Sequence, residues 1–273
     1  GISYYGNCVG VPNVGGDLYR DERYNKNPLV NVGCVGIVKK ENIIYGNAKD
    51  KNTFLVYIGS KTGNEGINGA AMASKSFDKE VNIKEMDKNV QRADPFLEKL
   101  LLEACCEIAE QNLADGMQDL GAGGLLCASY ELISRGREKT NQNLGCEINL
   151  DKIPKKYKME PCNVLISETQ ERMLLVCSED NINQVFEILK KWDLEYAEIG
   201  VVNNTGKYEI FNTEMTKNNN NGRFYVYEKK NLLYSRSMTV LKDINQDWEL
   251  KSQDNSVLNS KSSEKIKNKY LWQ

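Results

Sequence analysis

Between residues 94 and 110 apolar side chains recur at helical spacing. Leu97, Leu100, Leu101, Ala104, Cys105 and Ile108 fall on one face, while Glu98, Lys99, Glu103, Glu107 and Glu110 point elsewhere. Asp94-Pro95 marks the start: an N-cap residue, then a proline at the first helical position, where its missing N–H costs nothing. After Gln111-Asn112 the polarity breaks. Gly116-Met117-Gln118-Asp119-Leu120 is then short enough for a buried strand, bounded by Gly121, Gly123 and Gly124. A second helix is predicted through Leu125, Leu126, Ser129, Leu132 and Ile133, stopping near Gly136, and a third from Asn181 to Trp192 through Val185, Ile188 and Leu189.

Alternation and β-branched residues predict strands at 29–38 (LVNVGCVGIV), 53–59 (TFLVYIG), 146–154 (CEINLDKIP), 195–202 and 223–228. Residues 164–176 read as two apolar strands interrupted by the polar insert Ser167-Glu168-Thr169-Gln170-Glu171-Arg172. Such a break in pattern suits a functional loop and suits a surface turn. Helices alternating with strands make a mixed α/β domain from about 61 to 210. Residues 1–20 are glycine-dense and read as a loop. Residues 61–70 form a polar loop punctuated by Gly63, Gly66 and Gly69, and 75–93 a mobile polar connection. Asn218 to Gly222 is of low complexity, and 241–268 has the composition of a solvated linker.

Composition narrows the chemistry. The chain has 273 residues, 40% of them hydrophobic, enough to bury a core, and a formal charge of -2 that predicts no general attraction to nucleic acid or anionic membrane. No run of about eighteen apolar residues and no basic, then apolar, leader is present, so no membrane span or signal peptide is expected and the cytoplasm is the default compartment. Eight cysteines are scattered without a C-x-x-C pair, and there is no histidine. That excludes Ser-His-Asp triads, Cys-His dyads and histidine-ligated zinc built from this chain alone. A general base must be a carboxylate, a lysine or a group from elsewhere.

Asp119 is the first candidate for chemistry. It ends a strand and is followed at once by glycines at the expected mouth of a helix, a place where polyphosphates and their magnesium ions are held. The same glycines are equally compatible with a tight strand-to-helix turn that holds no ligand.

Several longer stretches carry a resemblance. GNCVGVPNVGGD (6–17), NPLVNVGCVGIV (27–38), KTGNEGINGAAMAS (61–74), DPFLEKLLLEAC (94–105), MQDLGAGGL (117–125) and LISETQERMLLV (165–176) occur in order and together resemble the phosphoribosylformylglycinamidine synthase family, large (synthetase) subunit. The resemblance covers roughly 1–200, with DWELKSQ and the final KYLWQ similar to the family's linker towards a second half. It implies an α/β, aminoimidazole-ribotide-synthetase-like fold, a mixed sheet packed with helices, in a partial chain of a longer two-repeat protein. Residues 1–60 would be the C-terminal part of an N-terminal-type α/β half, 61–210 a C-terminal-type α/β domain, and 211–273 an insertion and linker towards a missing second repeat.

The activity implied is a carbon–nitrogen ligation in purine biosynthesis. ATP phosphorylates the amide oxygen of formylglycinamide ribonucleotide, and glutamine-derived ammonia displaces the phosphate to give the amidine, with Mg2+ as cofactor. The implied partners are a glutaminase subunit and a small bridging subunit. By the same resemblance Gln91, Glu168, Thr169 and Gln170 contact substrate and Asp119 is a magnesium ligand. The family's catalytic histidines, its nucleotide-binding tyrosine and lysine and one magnesium glutamate would precede Gly1. No catalytic residue is therefore assigned here, and the isolated chain is expected to turn over nothing. Departures from the family pattern are Thr169 for serine, Asn68 for histidine, Arg92-Ala93 for a small apolar pair, and Gly123 for alanine. Two other readings stay open: a diverged, non-catalytic interaction module, and a sibling ATP-dependent enzyme of the same fold.

Overall fold

A computed structural model describes residues 1–25, 28–67 and 91–212, together with the backbone of 223–228. Seven strands form one mixed sheet: β1 (Phe54–Gly59), β2 (Gly116–Asp119), β3 (Gly145–Asn149), β4 (Arg172–Cys177), β5 (Tyr196–Asn203), β6 (Lys207–Phe211) and β7 (Arg223–Glu228), in the order β2-β4-β1-β5-β3-β6-β7. All neighbours are antiparallel except β3 and β6. The helices are α1 (Ile2–Val9), α2 (Pro95–Glu110), α3 (Gly124–Thr140), α4 (Pro161–Ile166) and α5 (Glu179–Lys191).

Strand β1 lies in the interior of the sheet, between β4 and β5, and is buried on both faces, so its sequence is a continuous apolar run rather than an alternating one. Its alternate side chains feed two cores. Leu55 and Tyr57 join Leu174, Val176 and Ile199 beneath Leu125, Leu132 and Ile133 of α3 and Val164, Leu165 and Ile166 of α4. Val56 and Ile58 join Leu175 and Cys177 against Leu101, Ala104 and Ile108 of α2 and Val185, Ile188 and Leu189 of α5. The protein is thus a sheet sandwiched between two helical layers. The predicted start of α2 is realised, with Asp94 Oδ1 accepting the Leu97 N–H at 3.1 Å.

Several expectations need correction. Residues 29–38 form no strand: Leu29, Val30, Val32, Val35, Ile37 and Val38 are exposed, and no ladder partner lies among the described residues. β propensity alone cannot satisfy a strand's backbone groups; a neighbouring strand must do so. The polar insert does not join two strands, because the run before it is the helix α4, started by Pro161 at its first turn. Short apolar runs leave helix and strand undecided. Within the glycine-dense residues 1–20, α1 forms and is closed by Gly10 at φ 83.

Helix α3 runs past Gly136 to Thr140. That glycine is needed for close approach, since a Cβ there would lie 2.5 Å from the Ala48 carbonyl oxygen. The strand expected at 146–154 ends at Asn149 and continues as a 3-10 turn, Leu150–Lys152. Strand β6 was not anticipated. Expectations for residues 68–90, including Asn68, and for 213–222 and 229–273 lie outside the described residues.

Candidate functional site

Asp119 closes β2, opposite Met173 of β4, and is exposed. Its Oδ1 accepts from Gln118 Nε2 at 2.9 Å, and Gln118 Oε1 in turn accepts from Arg135 Nη1 at 2.8 Å. Arg135 is itself paired with Glu131 one helical turn back on α3. The carboxylate is therefore oriented from α3 through a single amide. A side chain at Gly121 would come within 3.0 Å of Asp119 Oδ2, so glycine leaves that oxygen room.

The glycines after Asp119 answer the ambiguity of the sequence in an unexpected way. Gly123 and Gly124 adopt φ 73 and 56, and a Cβ on Gly124 would lie 2.1 Å from the Ser167 carbonyl oxygen. Close packing of the α3 start against 165–167 thus demands glycine at 124. The Gly123 N–H at the mouth of α3 donates to Glu168 Oε1 at 3.2 Å, so an internal carboxylate already meets the positive end of the helix.

Glu168 is also the meeting point for Gln91, whose Nε2 donates to Glu168 Oε2 at 2.7 Å. Gln170 folds back to donate to the Glu168 carbonyl at 2.9 Å. The Thr169 hydroxyl is buried and locally engaged. It receives the Gly63 N–H at 3.0 Å, donates to Glu65 Oε2 at 2.6 Å and lies 2.9 Å from Ser167 Oγ. Glu65 also pairs with Lys156 at 2.5 Å. Burial raises the Glu65 pKa, but the Lys156 and Thr169 bonds outweigh it and the carboxyl is held below its ordinary range.

Gln91, Glu168 and Gln170 are thus joined by direct bonds, while Thr169 is tied instead to Gly63, Glu65 and Ser167. Asp119 lines a cavity of about 530 Å³ with Gln170, Glu171, Arg172, Glu98 and Tyr5; of the four, Gln170 alone shares that wall, and Gln91, Glu168 and Thr169 do not line it. Burial first, and the Glu171 charge second, push the Glu98 carboxyl up. Glu171 is pushed up by burial as well, against the Asp94 N–H and the Tyr5 hydroxyl, which donates to it at 2.9 Å.

Among the described residues no group of three or more His, Cys, Asp and Glu side chains is arranged to hold a metal ion. One exposed carboxylate with room beside it nevertheless fits the role of a single ligand to magnesium, which commonly takes one or two carboxylates and completes its shell with water and phosphate oxygens. Sequence reasoning missed Gln118, Arg135, Glu65 and Arg172. Gln118, Arg172 and Glu65 lie within the stretches 117–125, 165–176 and 61–74 that carry the resemblance, and that membership is their signal in the sequence.

The family model described as AIR synthase related protein, C-terminal domain, matches residues 53–212. A curated relative from Campylobacter jejuni (strain RM1221), phosphoribosylformylglycinamidine synthase subunit PurL, is 45% identical over 212 residues, 77% of this chain and 28% of the relative. Two solved structures align with 86% of the chain. T. maritima PurL complexed with FGAR does so at 34% identity with a TM-score of 0.72 over 38% of its length, and T. maritima PurL complexed with ATP at 32% identity with a TM-score of 0.67 over 36%. The chain spans under a third of the length of the curated relatives it matches. No helix among the described residues is long and apolar enough to cross a membrane.

Proposed function

The chain belongs to the AIR synthase related protein family through its C-terminal domain, and from that premise we propose that it is part of an ATP-dependent ligase. The ligase converts formylglycinamide ribonucleotide, ATP and glutamine-derived ammonia to formylglycinamidine ribonucleotide in purine biosynthesis. The single observation that carries this reading is the junction of Gln91 and Glu168, residues 77 positions apart, by a 2.7 Å hydrogen bond beside the loop that starts α3. Relatives whose names state the synthase, and solved neighbours whose names state FGAR and ATP, support it.

In this reading the Gln91 amide, held by Glu168, presents its remaining N–H and its carbonyl oxygen to the glycinamide or ribose. Glu168 and Gln170 complete the polar wall, and Thr169 acts from beneath by fixing residues 63–65 through its hydroxyl. Asp119, with Gln118 orienting it, holds the magnesium ion that neutralises phosphoryl oxygens when bound. Much of the nucleotide site comes from outside this chain. The proposed organisation keeps residues 1–60 as the end of an N-terminal-type half, with Phe54–Gly59 entering the sheet of the 61–210 domain, and 211–273 as insertion and linker. The proposed partners are a glutaminase subunit and a small bridging subunit, and the proposed compartment is the cytoplasm.

The test is phosphate release by the complete protein that carries this sequence, supplied with ATP, formylglycinamide ribonucleotide and ammonia over a magnesium titration. Wild type should turn over only with the amide substrate present. Asp119→Ala should lower the rate about a hundredfold and raise the magnesium requirement. Unchanged magnesium dependence in that variant would remove Asp119 as a ligand, and a wild type indifferent to the ribonucleotide would remove the proposed activity.

A further inference from the structure

We propose that Arg172 is a positioning residue that aims the Glu168 carboxylate by clamping the main chain on both sides of it. The inference rests on the reading above, in which Glu168 and Gln91 belong to the substrate wall. Arg172 is the first residue of β4 and is only 3% exposed. Its Nη2 donates to the Ser167 carbonyl and its Nε to the Thr169 carbonyl, each at 2.6 Å, so the two carbonyls flanking Glu168 are held by one rigid fork. The remaining arm, Nη1, donates to Thr62 Oγ1 at 3.1 Å, and that hydroxyl is 2.9 Å from the Tyr57 hydroxyl inside the core. The guanidinium is therefore anchored to β1 and reaches up to set the loop.

Three features argue for more than filling space. A buried cation bonded to carbonyls and a hydroxyl rather than to a carboxylate carries a desolvation penalty that a neutral side chain would avoid. Gly59 sits opposite Arg172 at φ 102, and a Cβ there would lie 2.2 Å from the Glu171 carbonyl oxygen, so the neighbouring strand is shaped to admit residues 171–172. Finally, Glu168 has contacts that depend on an exact backbone: its N–H meets the Glu65 carbonyl at 2.8 Å while its two carboxylate oxygens meet Gly123 and Gln91. A lysine carries a point charge and cannot reproduce a planar fork across two carbonyls.

The experiment compares wild type, R172K and E168A in the complete protein that carries this sequence, using two readouts. Steady-state kinetics of R172K should show KM for formylglycinamide ribonucleotide raised about tenfold, with KM for ATP within about twofold of wild type. Amide hydrogen exchange should show protection at Gly123 falling about tenfold in R172K and in E168A, while the Leu175 amide in β4 keeps its wild-type protection. Equal shifts of both KM values, or Gly123 protection unchanged or lost uniformly with β4, would overturn the assignment. Failure of the wild type to use the ribonucleotide would sink the functional reading instead, and the exchange measurement would still decide the role of Arg172.

Discussion

Phe54–Gly59 and residues 29–38 are written in much the same alphabet and meet opposite fates. In the first, Leu55, Val56, Tyr57 and Ile58 are inaccessible to solvent because β4 and β5 satisfy both edges and helices cover both faces. In the second, Leu29, Val30, Val32, Val35, Ile37 and Val38 lie open, on neighbouring as well as alternate positions. A run that is apolar at both parities belongs between two layers. Residues 29–38 carry that pattern, but among the described residues no layer covers them and no strand forms. The same sequence signal becomes structure only where the rest of a fold meets it.

The comparison breaks most visibly in the cores. Leu174, fully buried between β2 and β1, should cost about 2–5 kcal/mol when changed to alanine, whereas Ile37→Ala should change the unfolding free energy of this chain by less than about 0.5 kcal/mol. Urea unfolding measures both. Equal losses would mean that 29–38 packs as tightly as the sheet. A similar contrast exists between two glycines. Gly124→Ala forces a Cβ towards the Ser167 carbonyl at a positive φ and should cost about 1–3 kcal/mol, while nothing lies within 4 Å of a Cβ on Gly36. Thermal melting of Gly124→Ala and Gly36→Ala should separate them clearly, and a matched pair would show that the start of α3 can retreat from residues 165–167.

These contrasts also show what the sequence could reveal. Helices with strong period, α2 with its capped start and α5, are legible to within about two residues, because many positions vote for one face. Short elements are not. Val164-Leu165-Ile166 reads as a strand because the six-residue helix Pro161–Ile166 that holds it carries less than two turns, and Lys207–Phe211 is too brief to stand out without its partner β3. In the site, Asp119 stands out by its place between a strand and glycines, the other candidates follow from motif resemblance, and the pairing of Gln91 with Glu168 is beyond any local rule. The supporting residues Glu65 and Arg172 were hidden for a different reason. Charged residues read as solvent-facing by default, and only the folded chain shows Arg172 bonded inward to carbonyls.

A pH-dependent effect is expected at the edge of the sheet. Tyr5, on α1, donates to Glu171 at the edge of the sheet, and burial, then that bond, push the phenol far above its ordinary range, so it stays a neutral donor. Glu171 itself has a raised folded pKa, burial being the largest cause, with Glu98 and Asp94 carboxylates nearby and Lys156 opposing. A carboxyl raised on folding gives stability that is fully present below the ordinary glutamate range and is lost as the pH rises through the folded value. Removing the Tyr5 hydroxyl takes away a donor that favours the ionised form, which moves the folded pKa further up and deepens that loss. Tyr5→Phe should therefore cost about 1 kcal/mol near neutral pH and less in mild acid, while Glu171→Gln should flatten the dependence that this group contributes. A Tyr5→Phe deficit of the same size at both pH values, read from urea midpoints, would mean that the hydroxyl's contribution does not depend on the charge of Glu171.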